Sequence, residues 1–360
     1  MKFFLLINLL FFITFTNSYS KKNSLYDFYS QDCKLSCKID SIFYSLNDTL
    51  LVGQMLIVSA GQLGKDDATV LNLAKKGYIG SIIYLRGTKA EHIERTKKIN
   101  SHNSSLPILY SMDAEPTLLH KRIIDAPNVV STNKIINKEI SDKTCDIINS
   151  ELNEIGIKLN YAPVCDVSTT NKAIKTRSYG SNVENVVKYS KYFIEKSTEA
   201  NIATTIKHFP GHGLIKGDSH HDRIFINGKL EELEIYKKMI SDSIFSVMVG
   251  HIDVINNEKY NTNGIPSSCS RKIVTDLLKN ELKFKGIVIT DGLEMHALKN
   301  IKNPAFEASK AGCDMLCIPK DEEKTIKLIL DEMRQNPKYR QQIYESVKKI
   351  IRLKICLNLF

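Results

Sequence analysis

The sequence predicts an α/β protein whose single main domain is a (β/α)8 TIM-type barrel. Eight short apolar runs alternate with loops and amphipathic helical patterns, and this alternation is typical of parallel strands connected by helices. Eight strands favour closure of the sheet into a barrel. The predicted strands span residues 53–59, 79–85, 107–112, 159–164, 203–206, 246–249, 286–289 and 315–318. The clearest helical patterns cover residues 139–155, 183–200, 229–244, 271–282 and 322–334.

The placement of polar residues supports a barrel more strongly than the number of strands does. Polar side chains follow five consecutive predicted strands, from the third to the seventh. The C-terminal ends of barrel strands meet at one mouth, where barrel enzymes carry their active sites. We therefore expect the following residues to converge there: Asp113 and Glu115, Asp166, Lys207 and His208, His251 and Asp253, and Asp291.

The composition describes a globular protein with ample material for a core. Of its 360 residues, 42% are apolar and 25% are charged, which are ordinary values for a soluble domain. The formal net charge of +10 raises the question of an anionic partner. Lys and Arg are interspersed with Asp and Glu and form no basic run, so we expect no nucleic-acid partner. We also expect a monomer.

The N-terminus has the pattern of a secretory signal peptide over residues 1–20, with one early lysine, the apolar run FFLLINLLFFITF and small polar residues. We therefore expect an exported protein, periplasmic or secreted. The apolar run is short for a membrane span, so stable membrane association is expected only if the signal stays uncleaved. Residues 21–36 form an N-terminal segment that we expect to be loosely held at its polar start, and residues 37–360 form the barrel domain. Cys33 and Cys37 are the candidates for a local disulfide bond in an exported protein.

The loop IKHFPGHGLIKGDSHH, residues 206–221, holds the densest group of functional side chains in the chain. Its Pro-Gly pair rules out one continuous helix. Asp218 and His220 are two residues apart, so the carboxylate can orient the imidazole for proton transfer near neutral pH. The second interpretation is a metal site. Its candidate ligands are His208, His212, Asp218, His220 and His221.

Two further residues stand out. Asp291 ends the predicted strand of GIVITDGLEM, residues 286–295, and either points into the mouth of the barrel or caps a following helix. Arg177 lies in the loop motif KTRSYG. Its guanidinium suits a carbonyl, a carboxylate or several hydroxyl groups, and the alternative is a surface ion pair.

Taken together, the motifs KHFPGHG, DSH, RSYG and VITDGLEM resemble glycoside hydrolase family 3. More narrowly, they resemble the single-domain β-N-acetylglucosaminidases of that family, which act on muropeptides and other N-acetylglucosamine ends. The resemblance covers residues 37–334. It implies a β-N-acetylhexosaminidase whose substrate is a carbohydrate with a terminal β-linked N-acetylglucosamine, such as a cell-wall fragment.

The resemblance also implies roles for individual residues. By position, Asp291 is the catalytic nucleophile, His220 the general acid/base and Asp218 the carboxylate partner of that histidine. The implied mechanism is retaining and passes through a covalent glycosyl-enzyme, and it needs no metal or other cofactor. The residues implied to bind the sugar are Asp113, Lys121, Arg177, Lys207 and His208.

One segment departs from the family pattern, DAEPTLLHKR at residues 113–122. Lys121 falls where the family has an arginine, and Arg122 comes directly after it. Lysine keeps the charge but lacks the planar fork of arginine, which leaves open a sugar-binding protein without turnover. A phosphorylase of the same fold and a metal-dependent hydrolase are the other open alternatives. The sequence has no tryptophan, so stacking on a sugar face would come from Tyr or Phe.

Overall fold

A computed structural model describes residues 22–103, 106–168, 171, 173–215, 223–240 and 244–360. Numbered along the chain, its strands are β1 (Leu56–Ala60), β2 (Ser81–Tyr84), β3 (Leu109–Met112), β4 (Leu159–Asn160), β5 (Ala203–Phe209), β6 (Ile224–Asn227), β7 (Ser246–Val249), β8 (Ile252–Ile255), β9 (Ile287–Thr290) and β10 (Leu316–Cys317). Eight of them form one parallel sheet in the order β10-β1-β2-β3-β4-β5-β7-β9. A parallel bridge between Ile289 and Met315 joins β9 to the β10 side of the ring. The predicted barrel is confirmed, and each of the eight predicted runs overlaps one of these strands.

Helices surround the barrel. The α-helices are α1 (Cys33–Tyr44), α2 (Asp48–Gly53), α3 (Asp67–Lys75), α4 (Lys89–His102), α5 (Leu119–Arg122), α6 (Lys138–Ile155), α7 (Val183–Glu199), α8 (Leu233–Ile240), α9 (Pro304–Ala311), α10 (Glu322–Gln335) and α11 (Pro337–Cys356), and a π-helix covers Lys272–Glu281. Short 3-10 turns lie at Leu25–Asp27, Thr132–Lys134, Lys175–Arg177, Ser267–Cys269 and His296–Leu298. Each predicted helix is present, although α8 begins at Leu233 and not at residue 229.

Helix α6 shows how local sequence sets these elements. The side chain of Asn137 accepts a hydrogen bond from the backbone N–H of Ile140 at its start, and Gly156 ends it with a φ of 91°, a conformation that favours glycine. Ile148 and Leu152, four residues apart, are fully buried against the barrel. The capping residues therefore set the length of α6, and the apolar stripe sets the face that it buries.

The small sheet formed by β6 and β8 was not predicted. These strands pair in parallel outside the barrel, and each follows a barrel strand at the mouth. Each strand buries part of its apolar sequence: Ile224 and Val254 are buried, whereas Phe225 is about half exposed. The sixth predicted strand therefore continues, after a short break, into a second strand that serves a different sheet.

The N-terminal segment packs against the barrel, so the expectation of a loosely held start is wrong. Leu25 and Phe28 are buried, and the ring of Phe28 meets that of Phe245 at 5.9 Å. Cys33 and Cys37 are exposed thiols on α1, and the predicted disulfide bond is not formed. The division of the chain at residue 37 stays a prediction.

The predicted signal peptide, residues 1–20, lies outside the described residues. Within the described part of the chain, no helix combines the length and the apolar character needed to span a bilayer.

A buried lysine closes the N-terminal end of the barrel. Lys354 of α11 is fully buried, and its ammonium group donates to Oε1 of Gln54 and to the backbone oxygens of Gly80 and Pro107 at 2.6, 2.8 and 2.7 Å. These three acceptors occupy all three protons of the group. Burial lowers the pKa of Lys354 to about 7, because a charged ammonium is costly away from water.

We expect the contribution of Lys354 to stability to rise with pH above 7. The unfolded chain holds this proton up to a pH of about 10, whereas the folded protein releases it near pH 7, so folding is favoured as the pH rises between these values. In urea unfolding at pH 7, 8 and 9, the unfolding free energy of the wild type should increase relative to Lys354→Met, by at most about 1.4 kcal/mol per pH unit. Lys338→Met, an exposed change on the same helix, should show no such trend. A constant difference for Lys354→Met would contradict the expectation.

Candidate active site

One cavity of about 420 Å³ opens at the C-terminal ends of the barrel strands. It brings together six residues that the sequence singled out, from five separate parts of the chain. These are Asp113, Lys121, Arg177, Lys207, His208 and Asp291. Arg122, Tyr161, Met248, Glu294 and Cys317 are among the other residues that line it. The predicted convergence of strand-end residues is therefore present for Asp113, Lys207, His208 and Asp291.

The proposed proton-transfer pair, Asp218 and His220, lies outside the described residues. So does His221, the third candidate ligand of that segment for a metal ion. Among the residues that the structure describes, no three His, Cys, Asp or Glu side chains form a metal-binding group.

A buried ion network forms one wall of the cavity. Lys207 from β5 lies between two carboxylates that follow β3, and its Nζ is 2.6 Å from Oε1 of Glu115 and also bonds to Oδ1 of Asp113. The Nε and Nη2 atoms of Arg177 donate to Oε2 and Oε1 of Glu115 at 2.8 and 2.6 Å. Such forked pairs hold both partners in one orientation. Glu115 therefore fixes two of the predicted sugar-binding cations.

Asp113 is held ionised by this network. Burial by itself would raise its pKa, but the positive charges of Lys207, Arg122 and Arg177 outweigh burial and hold the pKa of Asp113 well below its usual range. The carboxylate of Glu115 in turn raises the pKa of Arg177, against the opposing effect of burial. Across the neutral pH range, the wall thus presents fixed charges to a ligand.

Arg122, which the sequence interpretation left aside, contacts Asp113. Its Nη2 donates to Oδ2 of Asp113 at 2.9 Å. Lys121 also lines the cavity, but it is exposed and forms no ion pair with a described residue. Both residues belong to the single turn of α5, where a step of one position turns the side chain by about 100°. The arginine fork is therefore present beside Asp113, one position later than the family pattern indicates.

His208 is oriented by a carboxylate. Its Nδ1 lies 2.6 Å from Oδ2 of Asp166, and because a carboxylate only accepts, Nδ1 carries the proton. The backbone N–H groups of His208 and His212 also donate to Asp166, at 3.2 and 2.8 Å. Burial alone would raise the pKa of Asp166, but these histidines lower it below its ordinary value. The ring nitrogen Nε2 of His208 is left on the side of Arg177, 3.5 Å from Nη2.

Asp291 lies at the end of β9 and faces the cavity. Its backbone N–H donates to the oxygen of Val249 at 3.0 Å, and its Oδ1 accepts from the N–H of Gly292 at 2.8 Å. The next helical turn starts only at His296, after Met295. The helix-cap interpretation of Asp291 is therefore wrong, and its carboxylate is placed for chemistry in the cavity.

Four residues expected at the mouth do not line this cavity. Glu115 and Asp166 instead bind the cavity residues Lys207 and His208, and the other two are His251 and Asp253. His251 is buried, with Nδ1 2.8 Å from the hydroxyl of Ser268 and Nε2 2.9 Å from the oxygen of Gly292. It supports the backbone beside Asp291. Asp253 lies within β8 and pairs with Arg223.

A parallel barrel whose mouth combines a strand-end carboxylate with fixed cations is the arrangement of a barrel enzyme active site. Residues 49–353 match the family model described as glycosyl hydrolase family 3 N terminal domain. Because this match covers most of the chain, the protein belongs to glycosyl hydrolase family 3.

Related proteins agree with this family. The chain is 30% identical to beta-hexosaminidase A of Pseudoalteromonas piscicida over 239 residues, which are 59% of this chain and 40% of that protein. It is 29% identical to a beta-hexosaminidase of Haemophilus ducreyi over 214 residues, 56% of this chain and 60% of that protein. A solved family 3 beta-N-acetylglucosaminidase from Paenibacillus sp. superposes with a TM-score of 0.78 at 26% identity, covering 87% of this chain and 63% of that chain. The similarity thus spans less than two thirds of each of these relatives.

We expect Glu115→Ala to destabilise the protein strongly. The substitution leaves the buried charges of Lys207 and Arg177 with fewer partners, and breaking a buried ion pair on one side costs about 3–5 kcal/mol. Urea unfolding of the purified variants measures the loss. Glu184→Ala removes a carboxylate that is 72% exposed in its pair with Lys238, and it should cost less than about 1 kcal/mol. Equal losses for the two variants would contradict a structural role of the network.

Proposed function

We propose that the protein is a retaining β-N-acetylhexosaminidase that removes terminal β-linked N-acetylglucosamine. One observation carries the proposal: Asp291 shares a single cavity with the ion network of Asp113, Arg122, Arg177 and Lys207. A carboxylate at the reacting centre, beside fixed donors and acceptors for hydroxyl groups, suits a glycoside. Membership of glycosyl hydrolase family 3 and the names of the relatives support this substrate class.

In the proposed mechanism, Asp291 attacks the anomeric carbon and forms a covalent glycosyl-enzyme. His220, paired with Asp218, protonates the leaving oxygen and then takes a proton from the water that releases the sugar. Both assignments come from the position of these residues in the family pattern. The N–H of Gly292 donates to Oδ1 of Asp291 and so helps to hold this carboxylate at the cavity.

The wall of the cavity would hold the sugar ring. Asp113 accepts from hydroxyl groups, while Arg122 and Lys207 donate to them, and their mutual ion pairs keep these groups in place before the substrate arrives. The Nε2 of His208 adds one more polar contact. The apolar surfaces of Tyr161 and Met248 offer contact to a sugar face in a chain that has no tryptophan.

We further propose that the protein is exported and acts on cell-wall muropeptide fragments. The signal-like pattern of residues 1–20 and the muropeptide substrates implied by the family resemblance support this assignment. A monomeric state and the absence of a nucleic-acid partner stay predictions.

We expect Asp291→Ala to abolish release of 4-nitrophenol from its β-N-acetylglucosaminide. Loss of a nucleophile typically lowers kcat by about 10⁴-fold or more, whereas Asp276→Ala, at an exposed site on the π-helix, should keep wild-type kcat. A slow fluorinated N-acetylglucosaminide that keeps the 2-acetamido group should label Asp291, as seen by peptide mass spectrometry. A label on another residue would refute the nucleophile assignment.

Parallel reactions with a β-glucoside, a chelator and phosphate separate the alternatives. Sugar 1-phosphate formed only with phosphate would identify a phosphorylase, and loss of turnover with the chelator a metal-dependent hydrolase. Sugar binding without any turnover would identify a binding protein.

We expect Arg122→Ala to reduce kcat/KM much more than Lys121→Ala. Arg122 contacts Asp113 directly, and removing a charged group that binds the substrate costs about 10²-fold, whereas the exposed Lys121 should cost less than about fivefold. Steady-state kinetics on the same substrate compares these neighbouring changes. The reverse order would restore Lys121 as the equivalent of the family arginine.

A further inference from the structure

Glu232 is a buried carboxylate that joins two loops at the mouth of the barrel. It lies just before α8 and is 5% exposed. Its Oε1 accepts from the N–H of Val167 at 2.8 Å, in the loop after β4. Its Oε2 accepts from the N–H groups of Gly213 and Leu214 at 2.9 and 3.2 Å, in the loop after β5. One side chain thus ties together two segments that both carry cavity residues.

The close approach of Glu232 explains why the KHFPGHG motif has glycine at residues 211 and 213. A Cβ atom on Gly213 would lie 2.1 Å from the oxygen of Val167 and 2.9 Å from Oε1 of Glu232. A Cβ atom on Gly211, which has a φ of 130°, would lie 2.6 Å from Cβ of Glu232. Real Cβ atoms do not approach so closely, so both positions require glycine. The loop sequence is therefore matched to Glu232.

Glu232 works on the same loop as Asp166. Asp166 accepts from the backbone of His208 and His212, and Glu232 accepts from the next two residues. The N–H groups of residues 212, 213 and 214 thus all donate to a carboxylate, the first to Asp166 and the next two to Glu232. Together they hold the backbone of residues 208–214.

A negative charge on the buried Glu232 is energetically unfavourable. Burial, and next the carboxylate of Asp166, raise the pKa of Glu232 above its ordinary value, although three N–H groups counteract the increase. No described Lys or Arg forms an ion pair with it. A glutamine would avoid the electrostatic cost, but its NH₂ group would face an N–H donor. Three N–H donors around the two oxygens therefore favour a carboxyl group, in which both oxygens accept, over an amide.

We propose that Glu232 is a positioning residue for catalysis, holding the loop of residues 211–214 between His208 and the segment that contains His220. Its carboxylate does not line the cavity, so it acts through the backbone that it binds. In the sequence, His220 follows Leu214 by six residues. This inference rests on the proposed function, because His220 matters here as the acid that protonates the leaving group.

The test compares Glu232→Gln with the wild type on two substrates that differ in their need for an acid. Cleavage of N,N′-diacetylchitobiose requires protonation of a poor leaving group, whereas the 2,4-dinitrophenyl glycoside does not. We expect kcat per active site to fall about 10²-fold on chitobiose and less than about fivefold on the dinitrophenyl substrate. Titration with a slow fluorinated N-acetylglucosaminide that keeps the 2-acetamido group counts the active sites. Glu231→Gln, a change at the exposed neighbouring glutamate, is the matched control and should behave as wild type.

Equal losses on both substrates would overturn the proposal, because a structural defect lowers both reactions alike. If Glu232→Gln yields no folded protein, Glu232→Asp serves instead. It keeps the charge but is one methylene too short to reach both loops, and it should show the same unequal losses in weaker form. Failure of the proposed function itself would be distinct, since the wild type would then cleave neither substrate.

Discussion

The active site depends on one buried ammonium group. Lys207 lies between Asp113 and Glu115, and through Glu115 it is coupled to Arg177. These residues lie in β5 and in the segments that follow β3 and β4, so the ion network ties three parts of the chain into one wall. In a buried setting, charges without partners are prohibitively costly. Each charge therefore fixes the position of the next, and Arg122 completes the network from α5.

A second set of contacts controls the loop after β5. Here the partners are two carboxylates and a row of backbone N–H groups, with Asp166 on one side and Glu232 on the other. Ion pairs orient side chains, whereas these carboxylates orient the main chain itself. The glycines of KHFPGHG are part of this arrangement, since Gly211 and Gly213 leave room for the approach of Glu232. A motif that attracts attention for its histidines thus owes its two glycines to backbone packing.

Much of the fold could be predicted because its signals are local. An apolar run of four to eight residues identifies a barrel strand wherever its partner lies, and all eight were found. Residues directly after the predicted strands, such as Asp113, Lys207 and Asp291, could be placed at the mouth because the C-terminal ends of all barrel strands lie at the same end of the barrel. Four other residues expected there, Glu115, Asp166, His251 and Asp253, do not line the cavity. The sheet of β6 and β8 escaped notice because its pairing is not local.

The sequence by itself determined the barrel, the family resemblance and the chemical groups available at the mouth, because periodicity and strand-end position are properties of short segments. Only the tertiary structure decided how those groups pair. It brought Arg122 rather than Lys121 to Asp113, because one step along α5 changes the direction of a side chain. It also gave Glu232 its three N–H donors. Such pairings join residues far apart in the chain, and charge and hydrogen-bonding capacity select them only once the backbone has brought the partners within reach.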